Sequence, residues 1–224
     1  MSLPGTPAVL IVFDFDGTLV DSIHDLAESA SDLAEQYGGR RLDDTAVCLM
    51  VGDGASILVE RVLAGAGLAG PPAGALDRFL EIYDRRMLDH TRPYAGMIDT
   101  LEQLTAAHTL SLLTNKPEAP SRRIMKHAGL DRYFGDCVFG DGPLPRKPDP
   151  EGLRWLMSRH GARAEDTLLV GDSDVDLETA RNAGVKLCVA RYGFGFIRID
   201  QSALRDTDLV INQPSDLLAL NTRR

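Results

Sequence analysis

The stretch VLIVFDFDGT, residues 9–18, joins an apolar run to two carboxylates and a glycine. The run Val9–Phe13 is short and rich in β-branched residues, which is typical of a buried strand. Asp14 and Asp16 follow at once, where such a strand ends. Two carboxylates beside a buried strand are costly unless a cation meets them, and Gly17 lets the chain turn sharply. Alone, the stretch fits either an active site or a polar strand end with an Asp-Gly turn.

Further apolar runs of strand length lie along the chain, at Thr109–Leu113, Asp136–Phe139, Thr167–Val170, Lys186–Ala190 and Asp208–Ile211. Segments with helical patterns separate them, at Ser121–Ala128, Glu151–Arg159, Leu177–Ala183 and Pro214–Leu218. Strands that alternate with helices predict an α/β fold, a Rossmann-like parallel sheet covered on both faces. Ligands of such sheets bind at the carboxyl ends of the strands.

The segment 21–93 has a different pattern, with helical periodicity and little strand signal. Apolar residues such as Leu26, Ala30 and Leu33 share one helical face, and the Gly- and Pro-rich stretch Gly65–Gly74 interrupts the pattern. We therefore predict a helical cap domain of residues 21–93, inserted into an α/β core domain of residues 1–20 and 94–224.

Composition excludes several classes of protein. The chain has 224 residues, 44% of them hydrophobic, and a net charge of −9, which argues against a nucleic-acid partner. The longest apolar run, Ala8–Phe13, is too short to span a bilayer, so we expect no membrane partner. Cys48, Cys137 and Cys188 lack a C-x-x-C spacing, which favours a reducing, cytoplasmic location. We expect a monomer or a dimer.

A second acidic group follows the strand pattern at Thr167–Val170, in the sequence Asp172-Ser173-Asp174-Val175-Asp176. If this strand neighbours the first, its acids and those of residues 14–16 repel each other unless a hard cation lies among them. Mg²⁺ suits such oxygen ligands. A helix N-terminus, which favours acidic residues, explains Asp174 but explains the whole set poorly.

Two weaker motifs complete the pattern. Thr114-Asn115 ends the strand pattern at Thr109–Leu113 and offers a hydroxyl and backbone amides to a phosphoryl oxygen, although a helix cap is an equally simple explanation. Lys147 lies in the sequence RKPDP, residues 146–150, whose prolines restrict the backbone. It could face a site or lie in solvent.

Together the four motifs resemble, in residues and in order, the haloacid dehalogenase-like hydrolase superfamily, from Val9 to about Phe196. Residues 14–22 are similar to its first motif, Thr114-Asn115 to its second, Lys147 to its third, and Gly171-Asp172-Ser173 with Asp176 to its fourth. The inserted helical segment matches the position of the superfamily's C1-type cap.

The resemblance implies a phosphatase mechanism. Asp14 attacks phosphorus and forms an aspartyl-phosphate, and Asp16 acts first as general acid and then as general base. Mg²⁺ is held by Asp14, the backbone carbonyl of Asp16 and Asp172, while Asp176 orients metal-bound water or the lysine. The phosphoryl oxygens are bound by Thr114, the Asn115 amide and Lys147.

Further details bear on the substrate. Dehalogenase and phosphonatase members have no acid at the position of Asp16, which argues for phosphoryl transfer. The stretches VGDGA (51–55), LVER (58–61), TNKP (114–117), RKPDP (146–150) and YGFG (192–195) resemble those of phosphoglycolate phosphatases. The sequence departs from that pattern at Asp53, where many members carry Asn, and at Asp174-Val175, where Arg-Asn is frequent.

Substrate choice is expected to lie with the cap. The loop Gly52-Asp53-Gly54 precedes a helix that begins near Ala55, and its amides can approach an anion closely. It is predicted to close over the site and meet the carboxylate of a small substrate such as 2-phosphoglycolate; a plain turn is the alternative. Lys116, next to the second motif, is the better cationic candidate, whereas Arg61 is expected to be an exposed or paired helix arginine.

Other functions remain open from the sequence. A phosphatase of this family could act on a sugar phosphate, an amino-sugar phosphate, a nucleotide or pyrophosphate. A phosphomutase would need a cap residue that favours transfer to a sugar phosphate over water. A non-catalytic binding protein is disfavoured because the core motifs are intact. In the favoured interpretation the partner is a small phosphorylated metabolite.

Overall fold

A computed structural model gives the fold of the protein and describes residues 10–221. Val9, where the first strand is expected to begin, lies outside the described residues, as do residues 1–8 and 222–224 of the predicted core domain.

The described part of the chain alternates between strands and helices. Its strands are β1 (Leu10–Phe13), β2 (Val20–Asp21), β3 (Arg92–Pro93), β4 (Thr109–Leu113), β5 (Asp136–Val138), β6 (Thr167–Gly171), β7 (Lys186–Ala190) and β8 (Leu209–Ile211). Its α-helices are α1 (Ile23–Gln36), α2 (Asp44–Cys48), α3 (Ala55–Gly65), α4 (Ala75–Arg86), α5 (Met97–Leu104), α6 (Glu118–Ala128), α7 (Glu151–His160) and α8 (Asp174–Ala183).

Six of these strands form one parallel sheet, in the order β5-β4-β1-β6-β7-β8. β1 lies in the interior of the sheet, where Phe13 is in register with Leu112 of β4 and Val170 of β6. All three strands therefore end at the same edge. The predicted α/β fold with a Rossmann-like parallel sheet is confirmed, and the polar residues that follow β1, β4 and β6 lie side by side.

Both faces of the sheet are buried. Side chains alternate along β1, so Leu10 and Val12 pack in one apolar cluster with Leu153 of α7 and Ala180 of α8. Ile11 and Phe13 belong to the cluster on the opposite face, which continues into the helices between β2 and β3. Burial on both faces explains why the strands of the sequence are continuous apolar runs.

Four helices, α1 to α4, occupy the chain between β2 and β3. These two short strands pair antiparallel, Val20 with Pro93 and Asp21 with Arg92. The chain thus leaves the α/β part and returns to it through one two-stranded crossing. Below, "cap" denotes the segment between these strands, residues 22–91. The division into domains at 21–93 stays a prediction.

Helix boundaries differ from the sequence-based expectation for a physical reason. α6 begins at Glu118 and α8 at Asp174, before their predicted starts at Ser121 and Leu177. Their first three residues, EAP and DVD, contain too few apolar side chains to show a helical period in the sequence. α5 was not predicted, although Met97, Leu101 and Leu104 follow a helical spacing and are fully buried.

The helix predicted at Pro214–Leu218 is wrong in type. The segment Pro214–Asn221 is a 3₁₀ helix. The Asp216 carboxylate accepts hydrogen bonds from the backbone amides of Asn212 and Gln213, and such local side-chain bonds compete with a regular α-helix. Among the described helices, none is long and apolar enough to cross a bilayer.

Candidate active site

Three strand ends meet at one edge of the sheet. Asp14 directly follows β1, Thr114 follows β4 and Asp172 follows β6. The backbone amide of Asp14 donates to the Val170 carbonyl at 2.9 Å, which continues the β1–β6 pairing one step beyond the strand. All three polar side chains are largely buried. The convergence expected from the sequence is therefore present.

A buried acidic cluster lies at this edge, formed by Asp14, Asp172 and Asp176. One carboxylate oxygen of each lies within 4.8 Å of the others. Lys147 is paired with two of them, because its Nζ lies 2.8 Å from Asp14 Oδ1 and 2.6 Å from Asp176 Oδ1. Burial would lower the pKa of Lys147, but these two carboxylates raise it above its usual value, so the ammonium form persists.

The charge of the cluster fits a divalent cation. Three carboxylates and one ammonium carry a net charge of −2 when all are ionised. Burial raises the pKa of Asp14 to about 7 despite the Lys147 ammonium. Burial, together with the charges of Asp176 and Asp14, also raises the pKa of Asp172. Carboxylate oxygens are the ligands that Mg²⁺ prefers, so these three residues could hold a metal ion.

Asp172 is fixed by close backbone contacts. Its Oδ1 accepts from the Thr18 hydroxyl at 3.1 Å and its Oδ2 from the Gly195 amide at 2.7 Å. A Cβ atom at Gly17 would lie 2.0 Å from Asp172 Oδ2, and one at Gly193 would lie 2.3 Å from Asp172 Cβ. Only glycine lets the two loops close on this carboxylate. Gly17 also has a φ of 86°, which fits the sharp turn predicted there.

Asp176, the third member of the cluster, lies in the first turn of α8. Its Oδ2 accepts from both the amide and the hydroxyl of Ser173, at 3.1 and 2.6 Å, and its Oδ1 accepts from Lys147. The carboxylate thereby caps the helix and orients the lysine at the same time. Asp174 begins α8, as expected from its helix N-terminal pattern.

The carboxylate of Asp16 pairs with Lys116 and not with Lys147, the cation of the acidic cluster. Lys116 Nζ lies 3.0 Å from both of its oxygens, and the Ser22 hydroxyl donates to Oδ1 at 2.6 Å. Ser22 is the N-cap residue of α1 but makes no side-chain cap bond, since its hydroxyl is used here. Since the Asp16 side chain makes these contacts, the group of Asp16 that would bind a metal ion is its backbone carbonyl, as the family resemblance implies.

Asn115 joins the second and third motifs. Its Nδ2 donates to the Lys147 carbonyl at 2.9 Å and its Oδ1 accepts from the Lys147 amide at 2.8 Å. Nδ2 also donates to the Gly52 carbonyl of the cap at 2.9 Å. Because the Asn115 side chain makes these contacts, the group of Asn115 that would bind a phosphate is its backbone amide. The hydroxyl of the adjacent Thr114 accepts from the Lys116 amide at 3.2 Å.

A cavity between the sheet edge and the cap is lined by several of these groups, although not by Lys147 or Asp176. Its polar lining includes Asp14, Asp16, Thr114, Lys116 and Asp172. Cap residues supply most of an apolar wall, formed by Leu26, Val51, Ala55, Leu58, Phe79, Leu80 and Tyr83 together with Pro117, Pro120 and Phe194 of the core. The cavity therefore has charged groups on the core side and a mainly apolar wall on the cap side.

Tyr83 brings the cap into contact with the polar groups. Its hydroxyl accepts from Lys116 Nζ at 2.8 Å, and burial raises its pKa to about 12. Burial would lower the pKa of Lys116, but Asp16 and Tyr83 raise it, so the lysine stays protonated. Lys116 was predicted as a cation near the substrate; Tyr83 was not predicted, because helical periodicity alone marks it as a core residue.

The cap loop of residues 51–54 lies over the same cavity. Gly52 and Gly54 line it, but Asp53 does not: its carboxylate pairs with Arg61 and with Arg198, which lies at the end of the 3₁₀ segment Phe194–Arg198. Arg61 is a paired helix arginine, as predicted. Arg198 was not predicted, since no local pattern marks it.

Comparisons with known proteins agree with this geometry. The family model described as haloacid dehalogenase-like hydrolase matches residues 11–190. A phosphoglycolate phosphatase of Rhodospirillum rubrum is 38% identical over 192 residues, which are 82% of this chain and 80% of that protein. Phosphoglycolate phosphatase 1 of Pseudomonas aeruginosa is 37% identical over 216 residues, 93% of this chain and 78% of that protein.

A solved structure shares the whole architecture. The crystal structure of a predicted phosphoglycolate phosphatase from Haemophilus somnus superposes with a TM-score of 0.89 at 27% identity and covers 97% of this chain and 99% of that one. The resemblance seen in the sequence is confirmed. The chain belongs to the haloacid dehalogenase-like hydrolase family and is similar to the phosphoglycolate phosphatases within it.

Proposed function

We propose that this protein is a Mg²⁺-dependent phosphomonoester hydrolase that acts on 2-phosphoglycolate through an aspartyl-phosphate on Asp14. The observation that carries the proposal is that Asp14 lines the cavity, is paired with Lys147 and lies beside Asp172. Relatives named phosphoglycolate phosphatase support the choice of substrate.

In the first step the Asp14 carboxylate attacks phosphorus. A bond forms between its oxygen and phosphorus, and the bond from phosphorus to the ester oxygen breaks. The electron pair goes to the ester oxygen, which takes a proton from Asp16 and leaves as glycolate. The Lys147 ammonium, the Thr114 hydroxyl and the Asn115 amide stabilise the phosphoryl oxygens.

In the second step a water molecule attacks phosphorus and gives its proton to Asp16. The bond from phosphorus to Asp14 breaks, which regenerates the carboxylate and releases inorganic phosphate. Asp176 keeps Lys147 in place through both steps, because it contacts the same ammonium.

The cation that fits the acidic cluster would be held by Asp14, Asp172 and the backbone carbonyl of Asp16. When bound, Mg²⁺ offsets the repulsion between the carboxylate nucleophile and the phosphate dianion.

Lys116 supplies the contact for the substrate carboxylate. It lies at the cavity wall with its ammonium between Asp16 and Tyr83. A substrate carboxylate competes with Asp16 for this ammonium. When the substrate takes it, the Lys116 ammonium no longer holds the Asp16 carboxyl group, which is then free to contact the leaving oxygen. Substrate recognition and acid catalysis are then linked through one lysine.

The test is a measurement of kcat/KM for phosphate release with Mg²⁺ across a panel of 2-phosphoglycolate, sugar phosphates, an amino-sugar phosphate, nucleoside monophosphates, pyrophosphate and p-nitrophenyl phosphate. We expect 2-phosphoglycolate to be preferred by about a hundredfold, or about 2.7 kcal/mol in the barrier. A different preferred substrate would overturn the assignment of 2-phosphoglycolate and retain the phosphatase. No release from any ester would overturn the phosphatase itself.

A further inference from the structure

The loop of residues 51–54 is held against the core although it belongs to the cap. Gly52 has a φ of 127° and Gly54 a φ of 95°, conformations that L side chains rarely adopt. A Cβ atom at Gly52 would lie 2.9 Å from Arg198 Nη1, and one at Gly54 would lie 2.9 Å from Arg146 Nη1. The two glycines of the loop therefore pack directly against core arginines.

From these contacts we infer that Arg198 is a positioning residue, which fixes the loop of residues 51–54 over the active-site cavity. One guanidinium reaches both sides of the boundary between cap and core. On the cap side, Nη1 donates to the Val51 carbonyl and Nη2 lies 3.4 Å from Asp53 Oδ2. On the core side, Nη2 lies 2.9 Å from Asp174 Oδ1.

The chemistry of the contact requires arginine. The planar guanidinium offers several N–H donors in a fixed arrangement and can satisfy a carbonyl and two carboxylates together, which an ammonium cannot do with the same geometry. The Arg198 side chain is only 12% exposed, so water screens these contacts weakly. Without Arg198, the carboxylates of Asp53 and Asp174 would face each other across the boundary with no shared cation.

The contact also joins two acidic residues that stand out in the sequence. Asp53 is one departure from the pattern of phosphoglycolate phosphatases, and Asp174 belongs to the other, Asp174-Val175. Both place a carboxylate on Arg198. The two departures therefore belong to one ion-pair network that joins the cap loop to the first residue of α8.

The network ends at the catalytic groups. Asp174 lies two residues after Asp172, and the segment that ends at Arg198 also contains Gly195, whose amide holds Asp172. On the other side, Val51, Gly52 and Gly54 line the cavity. Arg198 touches no reacting atom, so we expect it to act through the position of the loop and to affect substrate binding more than chemistry.

The test compares Arg198→Met with Arg123→Met in the full-length protein. Arg123 of α6 pairs with Asp84 of α4 and also joins core to cap, but both side chains are about half exposed and lie outside the loop. Hydrogen exchange of the backbone amides in residues 51–58 is measured without substrate. We expect Arg198→Met to accelerate it about tenfold or more, and Arg123→Met to leave it unchanged.

Kinetics supply the second readout and rest on the phosphatase activity proposed above. With the preferred substrate of the panel, Arg198→Met should raise KM about tenfold and change kcat less than about threefold. Arg198→Lys, which keeps the charge but not the shape, should give an intermediate KM. Asp174→Asn combined with Arg198→Met should change KM no further than Arg198→Met alone.

The outcomes separate the inference from the proposed function. Unchanged exchange in residues 51–58 of Arg198→Met overturns the inference whatever the substrate is. Faster exchange with an equal rise in KM for both arginine variants also overturns it, because the effect then comes from loosening the cap in general. If Arg198→Met fails to fold, Arg198→Lys is measured in the same way, and unchanged exchange in that variant counts against the inference.

Discussion

The Lys116 ammonium lies 3.0 Å from both carboxylate oxygens of Asp16. The proposed acid–base group and the proposed contact for the substrate carboxylate are thus paired with each other, and Tyr83 of the cap completes the contact at 2.8 Å. If the substrate carboxylate binds Lys116 as proposed, it competes with Asp16 for this ammonium. We then expect the protein to be selective for carboxylate-bearing esters.

Replacing Lys116 with Met should therefore impair carboxylate-bearing substrates selectively. We expect kcat/KM for 2-phosphoglycolate to fall about a hundredfold and that for ethyl phosphate, which lacks the carboxylate, to change less than about threefold. Lys126→Met, at an exposed position of α6, serves as the control and should change neither. Equal losses for the two substrates would mean that Lys116 supports the chemistry and not the recognition.

Replacing Asp14 with Asn should abolish turnover and leave the fold intact. An amide does not attack phosphorus as a carboxylate does, so we expect kcat with p-nitrophenyl phosphate to fall at least about a thousandfold. Because burial raises the pKa of Asp14 to about 7, its charge destabilises the metal-free protein at neutral pH. The melting temperature of Asp14→Asn without Mg²⁺ should therefore be no lower than that of the unmodified protein. Retained turnover would exclude the nucleophilic role.

Addition of Mg²⁺ should raise the melting temperature of the protein, and removal with EDTA should abolish phosphate release. The reason is the net charge of −2 that Asp14, Asp172, Asp176 and Lys147 carry when all are ionised, which a divalent cation neutralises. In Asp172→Asn the thermal shift with Mg²⁺ should shrink or vanish, because one ligand is lost. A shift of equal size in both proteins would show that Mg²⁺ binds elsewhere.

The sequence predicts the central part of the site because the signals there are local. Asp14, Thr114 and Asp172 each follow an apolar run, and parallel strands end at one edge, so their convergence follows from the fold class. The contacts of Tyr83 and Arg198 could not be predicted in this way. Tyr83 and Lys116 are 33 residues apart in the sequence, and Arg198 and Val51 are 147 residues apart. The periodicity of a segment carries no information on which other segment it contacts.

The glycines of the segment 192–195 are an intermediate case. The sequence marks them as unusual, since YGFG resembles a stretch in phosphoglycolate phosphatases, but it does not say what they contact. Their role depends on the approach of that loop to Asp172, which only the folded structure gives.

Replacing Asp25 with Asn should destabilise the protein in a pH-dependent manner. The Asp25 side chain is 1% exposed and accepts from the amide and hydroxyl of Thr91, both at 2.8 Å, and from the His90 amide. It thereby ties the start of α1 to the end of the cap. We expect a loss of about 2 kcal/mol in the free energy of unfolding at pH 7.

The pH dependence of that loss follows from the pKa of Asp25. Burial acts to raise it, but the hydrogen bonds from Thr91 and His90 outweigh burial and hold it below the usual value of 3.8. The ionised carboxylate therefore stabilises the fold fully above about pH 4, and this stabilisation is lost as the pH falls through the folded-state pKa. The difference in the free energy of unfolding between the two proteins, measured with denaturant, should be constant from about pH 7 to 5 and smaller below about pH 4.

Asp84→Asn, which removes an exposed carboxylate, is the control and should lower the free energy of unfolding by less than about 1 kcal/mol. A difference that grew at low pH would contradict the assignment.

Replacing Gly193 with Ala should damage the site out of proportion to the size of a methyl group. The added Cβ would lie 2.2 Å from the Gly17 carbonyl oxygen and 2.3 Å from Asp172 Cβ, and neither is the end of a flexible side chain. The loop must therefore move away from Asp172, and with it the Gly195 amide that holds this carboxylate.

Gly135→Ala is the matched control, because a Cβ there meets no other group within 4 Å and the residue has no positive φ. We expect Gly193→Ala to lower kcat about a hundredfold or more and to reduce the thermal shift with Mg²⁺, while Gly135→Ala changes both by less than about twofold. Equal behaviour of the two variants would mean that the close approach of residues 193–195 to Asp172 is not needed for the site.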